Sequence, residues 1–211
     1  MDLRVEQAEV IRPQYRVLVF VGAYGGLRFR ELAGLRRSRV DLDAGTVDVA
    51  ENITEVEGKL HSGPPKTKAS RRRVSLPSGV IEELAVHLRA PGRPTDYVFR
   101  APAGGPLRIN GFRGRVWLPA TMAASLPGLR IHDLRHTAVA LWIAAGASPK
   151  EVAARAGHTS VSFVLDRYGH LLPSRMRRCV IAWTCYSVAR RNSDGTRPAE
   201  TRTGHPQLAS L

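Results

Sequence analysis

The sequence predicts a mainly helical α+β domain with a small antiparallel three-stranded sheet. Several segments carry apolar residues at helical spacing, with Pro near their first turn or Gly just past their end. One region between them alternates apolar and polar residues around a turn. The 211 residues, 43% of them hydrophobic, are enough for one ordinary core. We therefore predict one folded domain over residues 1–175 and a basic, partly disordered tail over 176–211.

Two helices are expected near the N-terminus. Pro13 to Tyr24 is a largely apolar run with Pro at its first turn, and the pair Gly25-Gly26 ends it. A second, shorter helix should run from about Arg28 to Leu35. This arrangement places Arg28 at the start of a helix.

The sheet is predicted from three short segments. Residues Val40–Leu42 and Thr46–Val49 alternate around Asp43-Ala-Gly45, which is typical of a β-hairpin. Arg73–Leu76 supplies the third strand. Pro77 to Leu88 then predicts a further helix.

The remaining part of the chain is expected to be helical. The sequence Ser148-Pro149-Lys150-Glu151 forms a capping box with Pro at the first helical position, and Gly157 follows the end of that helix. The other predicted helices are Ile109 to Ala123, His132 to Ala145 and Ser160 to Tyr168.

The charge of the chain favours a polyanionic partner. There are 32 Lys and Arg against 18 Asp and Glu, a formal net charge of +14. Such an excess is typical of proteins that bind nucleic acid. Arg outnumbers Lys 28 to four, as in proteins from GC-rich genomes, but that bias alone does not create an excess of bases over acids.

The location is expected to be cytoplasmic. The two cysteines, Cys179 and Cys185, are too few for a disulfide framework. The apolar stretch from Cys179 to Ala189 is far shorter than the roughly 20 residues that span a bilayer. We find no signal-peptide pattern, and we expect no membrane association.

A candidate anion site lies at the start of the helix after residue 131. His132 and Arg135 are three residues apart, so both side chains emerge on one face beside the partial positive charge of the helix N-terminus. The guanidinium groups of Arg28 and Arg135 would each hold phosphate oxygens by paired hydrogen bonds. A surface role for either arginine alone is the ordinary alternative.

Four separated motifs decide between these interpretations. They are Ala-Tyr-Gly-Gly-Leu-Arg28-Phe-Arg-Glu31-Leu, His132-Asp-Leu-Arg135-His136-Thr, Ala-Gly157-His158 and Leu-Asp-Arg-Tyr168-Gly-His170. In this order and spacing, over roughly residues 10 to 173, the chain closely resembles the tyrosine recombinases, or phage integrases.

The resemblance implies a role for each of these residues. Arg28 and Arg135 would clamp the scissile phosphate, His132 and His158 would accompany them, and Tyr168 would be the nucleophile. Glu31 would be the acid that orients the site. A phenol needs a cationic site and a base to release its proton, and we expect His132 to be that base. No cofactor or metal ion is implied.

The leaving 5′-hydroxyl needs a proton donor, for which a Lys on a turn near the phosphate is suitable. The segment Pro65-Lys66-Thr67-Lys68 precedes the predicted third strand and resembles the Lys-bearing turn of the family. We predict Lys66 as the general acid, with Lys68 as the substitute. A solvated basic loop is the alternative.

Two other functions were weighed. His132 and His136, four residues apart on a helix, are spaced like the ligands of a zinc protease, but Arg135 beside a divalent cation would be unfavourable. Residues 148–166 resemble the helix-turn-helix of a repressor. A DNA-binding module of that kind would leave Arg28, His132 and Tyr168 without a role.

The resemblance also predicts how the protein meets DNA. Double-stranded DNA is the expected partner, with a homo-oligomer on DNA and a monomer in isolation. Residues 1–12 are too few to encode the N-terminal helical domain with which the family usually completes its grip on DNA. We therefore expect weak, salt-sensitive binding of low selectivity and little recombination by this chain alone, and an inactive remnant that only binds DNA stays the alternative.

Overall fold

A buried apolar helix, α1 (Pro13–Gly25), forms the centre of the fold. The computed structural model describes residues 10–65, 67–158 and 160–172. As predicted, Pro13 occupies the first turn of α1, and Gly26 ends it in the left-handed conformation with φ of 65°. A Cβ atom on Gly26 would lie 2.5 Å from the Trp142 ring, so both conformation and space require glycine there.

The predicted helices are present with small shifts at their ends. Arg28 caps the short helix α2 (Phe29–Gly34), and Ser78–Leu88 forms α3. The segment predicted as one helix over Ile109 to Ala123 is α4 (Ile109–Phe112) and α5 (Leu118–Ala123), joined by a π-helical turn at Arg113–Trp117.

The predicted three-stranded sheet is confirmed. Its strands are β1 (Val40–Asp41), β2 (Thr46–Val49) and β5 (Arg72–Ser75), antiparallel in the order β1-β2-β5. Val47 on β2 is opposite Val40 and Val74, and the Val47 and Val74 side chains are buried in the core.

A second hairpin, β3 (Asn52–Val56) and β4 (Lys59–Gly63), was not predicted. It turns at Glu57 and Gly58, which both have positive φ. Ile53 is the one buried residue of β3, and β4 is partly or fully exposed along its length. With one face barely buried, the hairpin lacks the apolar alternation that identified the main sheet.

Three further helices lie in the C-terminal part of the described chain. They are α6 (Asp133–Ala144), which packs against α1, α7 (Pro149–Ala156) and α8 (Val161–Tyr168). The predicted capping box at α7 is present. The Ser148 amide donates to Glu151 at 2.7 Å, and the Glu151 amide donates to the Ser148 hydroxyl at 3.3 Å.

One compact unit extends to Leu172. The boundary predicted at residue 175, the predicted tail and both cysteines lie outside the described residues. Within the described ranges, no helix is long and apolar enough to span a bilayer.

Candidate active site

A pocket of about 400 Å³ lies where the ends of several helices meet. Arg28 caps the start of α2, His132 caps the start of α6, and Tyr168 is the last residue of α8. Arg135, in the first turn of α6, and His158, just after α7, also line this pocket. The fold therefore brings together five of the residues that the sequence singled out.

Arg135 is held inside the protein by neutral groups. Its side chain is buried, and its guanidinium donates to the carbonyl oxygen of Gly26 at 2.6 Å and to that of Ala156. Burial, followed by the charge of Arg28, lowers the pKa of Arg135 to about 9, so the group remains a cation at neutral pH. Carbonyl groups orient this charge without neutralising it.

Glu31 joins two arginines at the back of the pocket. Its carboxylate is buried and accepts hydrogen bonds from the Arg28 guanidinium at 3.0 Å and from both terminal nitrogens of Arg72 at 3.0 Å. Burial by itself raises the pKa of Glu31, but the hydrogen bonds and charges of Arg72 and Arg28 outweigh it and hold the pKa below its usual value. Glu31 is thus an ionised carboxylate that positions Arg28.

Arg72 is a residue that sequence reasoning missed. It also donates to the carbonyl oxygen of Arg155 at 2.6 Å, which ties β5 to α7. In the printed sequence it lies in a run of three arginines that looks solvated. The alternation of the strand was the available indication, because Arg72 lies two residues before buried Val74 and therefore on the same face.

His158 is a neutral imidazole beside Arg135. Its Nε2 lies 2.9 Å from a terminal nitrogen of Arg135, and since a guanidinium only donates, Nε2 accepts. Burial and the neighbouring arginines, Arg135 first, lower the pKa of His158 to about 4. Its Nδ1 is buried and, within the described part of the chain, has no hydrogen-bond partner. The ring edge contacts Phe163, with centroids 4.6 Å apart.

The hydroxyl of Tyr168 meets an imidazole that we did not select. Its oxygen lies 2.6 Å from Nδ1 of His136, whereas we had expected His132 to serve it. His132 instead contacts the His136 ring edge-on, with centroids 4.9 Å apart. The spacing of His132 and His136 by one helical turn was visible in the sequence, but we considered it only as a metal-binding pattern.

Electrostatics keep these three side chains neutral. Burial raises the pKa of Tyr168, against a smaller opposite effect of Arg135 and Arg167. Burial lowers the pKa of His136 and that of His132, and His136 adds to the effect on His132. The phenol therefore keeps its proton in the resting protein, and it meets the unprotonated imidazole of His136, which in turn contacts that of His132.

A match to a known family identifies this arrangement. The model of the Phage integrase family matches residues 7–175, which include every residue of the pocket. The chain belongs to the phage integrase family.

Individual integrases support the assignment. The chain is 31% identical over 165 residues to the integrase of Mycobacterium phage L5 and 30% identical over 173 residues to the ICEBs1 integrase of Bacillus subtilis strain 168. These alignments cover 75% and 77% of this chain but 44% and 46% of the two relatives. The chain thus spans less than half the length of the curated relatives it matches.

The fold is that of an integrase catalytic domain. The Tn1549 transposon integrase, solved in complex with circular intermediate DNA, superposes with a TM-score of 0.68 at 19% identity. The superposition covers 82% of this chain and 60% of that one. At this level of identity the likeness concerns the fold alone.

The segment that follows the predicted general acid contributes to the pocket. Lys66 lies outside the described residues, as does the side chain of Lys68. The adjoining segment is placed, however, since Thr67 and Ser70 line the pocket and the hydroxyl oxygens of these two residues are 2.9 Å apart. The segment of residues 67–70 therefore borders the site.

Proposed function

We propose that this chain is the catalytic domain of a site-specific DNA recombinase that cuts and rejoins DNA strands through a covalent bond to Tyr168. The observation that carries the proposal is the shared pocket of Tyr168, Arg28 and Arg135. A phosphodiester under attack gathers negative charge on its non-bridging oxygens, and guanidinium groups fixed in advance stabilise that charge.

The residues that the sequence singled out have distinct roles in this proposed reaction. Tyr168 attacks the phosphorus, which forms a 3′-phosphotyrosine and releases a 5′-hydroxyl. Arg28, held by Glu31, and Arg135, held by backbone carbonyls, bind the non-bridging oxygens. His132 and His158 complete the phosphate site, and His158 also holds the Arg135 guanidinium through its Nε2. Lys66 protonates the leaving oxygen.

The phosphotyrosine keeps the energy of the phosphodiester. A 5′-hydroxyl of another strand then reverses the chemistry and reseals the DNA. This cycle consumes no nucleotide, and side chains supply the positive charge that the phosphate needs, so we propose that it runs without a cofactor.

Double-stranded DNA is the proposed partner, and a cytoplasmic homo-oligomer assembled on DNA the proposed working form. The net charge of +14 suits contacts to phosphate. The relatives are named integrases, and the Tn1549 integrase was solved with DNA. Exchange of strands between two duplexes needs more than one nucleophile, which is why we propose several protomers on DNA.

Covalent capture of DNA tests the proposal. The chain is incubated with a pool of randomised duplexes that carry a nick, so that the cleaved end diffuses away and the adduct accumulates. We expect adducts that survive denaturation, and Tyr168→Phe should abolish them while changing DNA affinity little, because the hydroxyl contributes little to phosphate attraction.

Tyr97→Phe is the matched control. It also removes a phenolic oxygen, one that accepts a hydrogen bond from Arg36 outside the pocket, and it should leave adduct formation intact. Denaturation-resistant complexes formed by the Tyr168→Phe variant would show that the nucleophile is another residue. Binding without any adduct in the wild type would favour the remnant or helix-turn-helix alternatives.

A further inference from the structure

The hydrogen bond between Tyr168 and His136 has a chemical consequence. We propose that His136 is the general base of the reaction, taking the phenolic proton on Nδ1 as Tyr168 attacks phosphorus and returning it when the strands are rejoined. This inference rests on the proposed function, because it requires Tyr168 to be the nucleophile.

Geometry is the first support. The separation of 2.6 Å between the Tyr168 oxygen and Nδ1 of His136 lies within the range that direct proton transfer needs. Among the described residues, His136 is the hydrogen-bond partner that the structure shows for the Tyr168 hydroxyl. Both side chains line the pocket that also holds Arg28 and Arg135, so the proton acceptor and the two guanidinium groups border the same space.

The surroundings of His136 suit a base that must first be neutral and then cationic. Burial is the largest effect and lowers the pKa of His136, and Arg167 on α8, Arg130 before α6 and Arg135 act in the same direction. Asp133, one turn earlier on α6, opposes them and would stabilise the imidazolium once formed. The carboxylate of Asp133 is itself bound by Arg130 at 2.8 Å.

The phenol needs such a partner. Burial holds the pKa of Tyr168 above its usual value, so a free phenolate is scarce at neutral pH. In cleavage, the bond from the tyrosine oxygen to phosphorus forms, the bond from phosphorus to the 5′-oxygen breaks, the phenolic proton passes to His136, and the 5′-oxygen takes a proton from the Lys66 ammonium. In rejoining, each proton returns to its donor.

Nitrogen NMR of the full chain tests the proton arrangement without DNA. If His136 accepts from the phenol, its neutral ring carries the proton on Nε2, and Tyr168→Phe shifts the Nδ1 resonance. A neutral ring with its proton on Nδ1, donating to the tyrosine oxygen, would overturn the proposal.

Single-turnover cleavage tests the chemistry on a nicked duplex recovered from the covalent-capture experiment. His136→Asn keeps a hydrogen-bond acceptor near the position of Nδ1 but has no basic nitrogen, and His136→Ala removes both. We expect both variants to form the Tyr168 adduct about 10²–10⁴-fold more slowly, the usual contribution of general acid–base catalysis. DNA affinity should stay unchanged. His170→Ala, an exposed histidine two residues beyond Tyr168, is the matched control and should keep the wild-type rate.

The pH profile and the leaving group separate a base from a structural contact. The wild-type rate should rise with pH as the His136 imidazole loses its proton, at a pH below the usual pKa of histidine, because burial lowers this pKa. The two His136 variants should lack this rise. A duplex with sulfur as the 5′-bridging atom has a leaving group that needs no proton, so it should rescue Lys66→Ala but neither His136 variant.

Several outcomes would contradict the inference. A wild-type rate and pH profile in His136→Asn would leave His136 as a positioning contact only, while a Tyr168 adduct in the same experiment would keep the proposed function intact. Rescue of the His136 variants by the bridging sulfur would show that His136 helps to protonate the leaving 5′-oxygen and is not the general base. Absence of any Tyr168 adduct in the wild type would overturn both proposals together.

Discussion

The two sides of the pocket hold their functional groups in different ways. On the cationic side, Arg135 and Glu31 are buried, and the hydrogen bonds from Arg135 reach Gly26 and Ala156 on separate elements. On the nucleophile side, Tyr168 is also buried, but it ends a helix of eight residues, and the hydrogen bond described for its hydroxyl is the one with His136.

The difference matches what each side must do in the proposed reaction. Charges that stabilise a transition state act best when they are fixed before the reaction begins. A nucleophile must move to phosphorus, remain attached and return, and breaking a single hydrogen bond costs only about 0.5–1.5 kcal/mol. Moving Arg135 instead would strip a buried cation of its partners, which costs several kcal/mol.

The largest expected effect comes from neutralising Glu31. Glu31→Gln leaves Arg28 and Arg72 facing a neutral amide, and loss of one partner of a buried ion pair costs about 3–5 kcal/mol. Urea denaturation at neutral pH measures this loss. Arg73→Gln is the control, since it removes an exposed pair with Asp48 and should change the free energy of unfolding little.

The same variant has a pH signature. The pKa of Glu31 is lower in the folded protein than in the unfolded chain, so its stabilisation is complete above the unfolded pKa and disappears as pH falls through the folded pKa. The stability gap between wild type and Glu31→Gln should therefore narrow in acid. A gap that stays constant would mean that the carboxylate charge is not what stabilises the cationic side.

Replacing Arg135 by Lys tests whether geometry or charge matters on that side. A lysine ammonium is a single point of charge. It cannot donate to the carbonyl oxygens of Gly26 and Ala156 and also offer two parallel hydrogen bonds to a phosphate. We expect cleavage to slow about 10²–10³-fold, comparable to the loss of an oxyanion-hole donor. Single-turnover adduct formation gives the rate, with Arg130→Lys as the exposed control. Near-normal cleavage by the Lys variant would show that Arg135 contributes only its positive charge to the electrostatic potential of the pocket.

The smallest expected effect is on the stability of α8, the helix that carries the nucleophile. Ser160 caps α8 by accepting from the Ser162 amide at 3.1 Å, and Ser160→Ala should cost about 0.5–1 kcal/mol. Ser148→Ala, which breaks the reciprocal box of α7, should cost at least as much. Thermal or urea unfolding compares the two. A greater loss from Ser160→Ala would show that the nucleophile side is as rigidly built as the cationic side.

Much of the fold was predictable because its signals are local. Pro13, the glycines after α1 and the capping box at Ser148 act through neighbours within a few residues, and the structure places their helices where the sequence predicted them. The hairpin of β3 and β4 was missed since it buries little and has no strong alternation.

The sequence by itself pointed to five residues that share the pocket, because four motifs in order identify the family, but it did not point to Arg72 or to the role of His136. Only the tertiary structure decided how they are held. Arg135 finds a carbonyl 109 residues away, and Arg72 meets Glu31 across 41 residues. Whether His132 or His136 meets Tyr168 depends on where the tertiary fold brings the last residue of α8 relative to the first turn of α6. Such contacts are set by how elements pack, which no short stretch of sequence encodes.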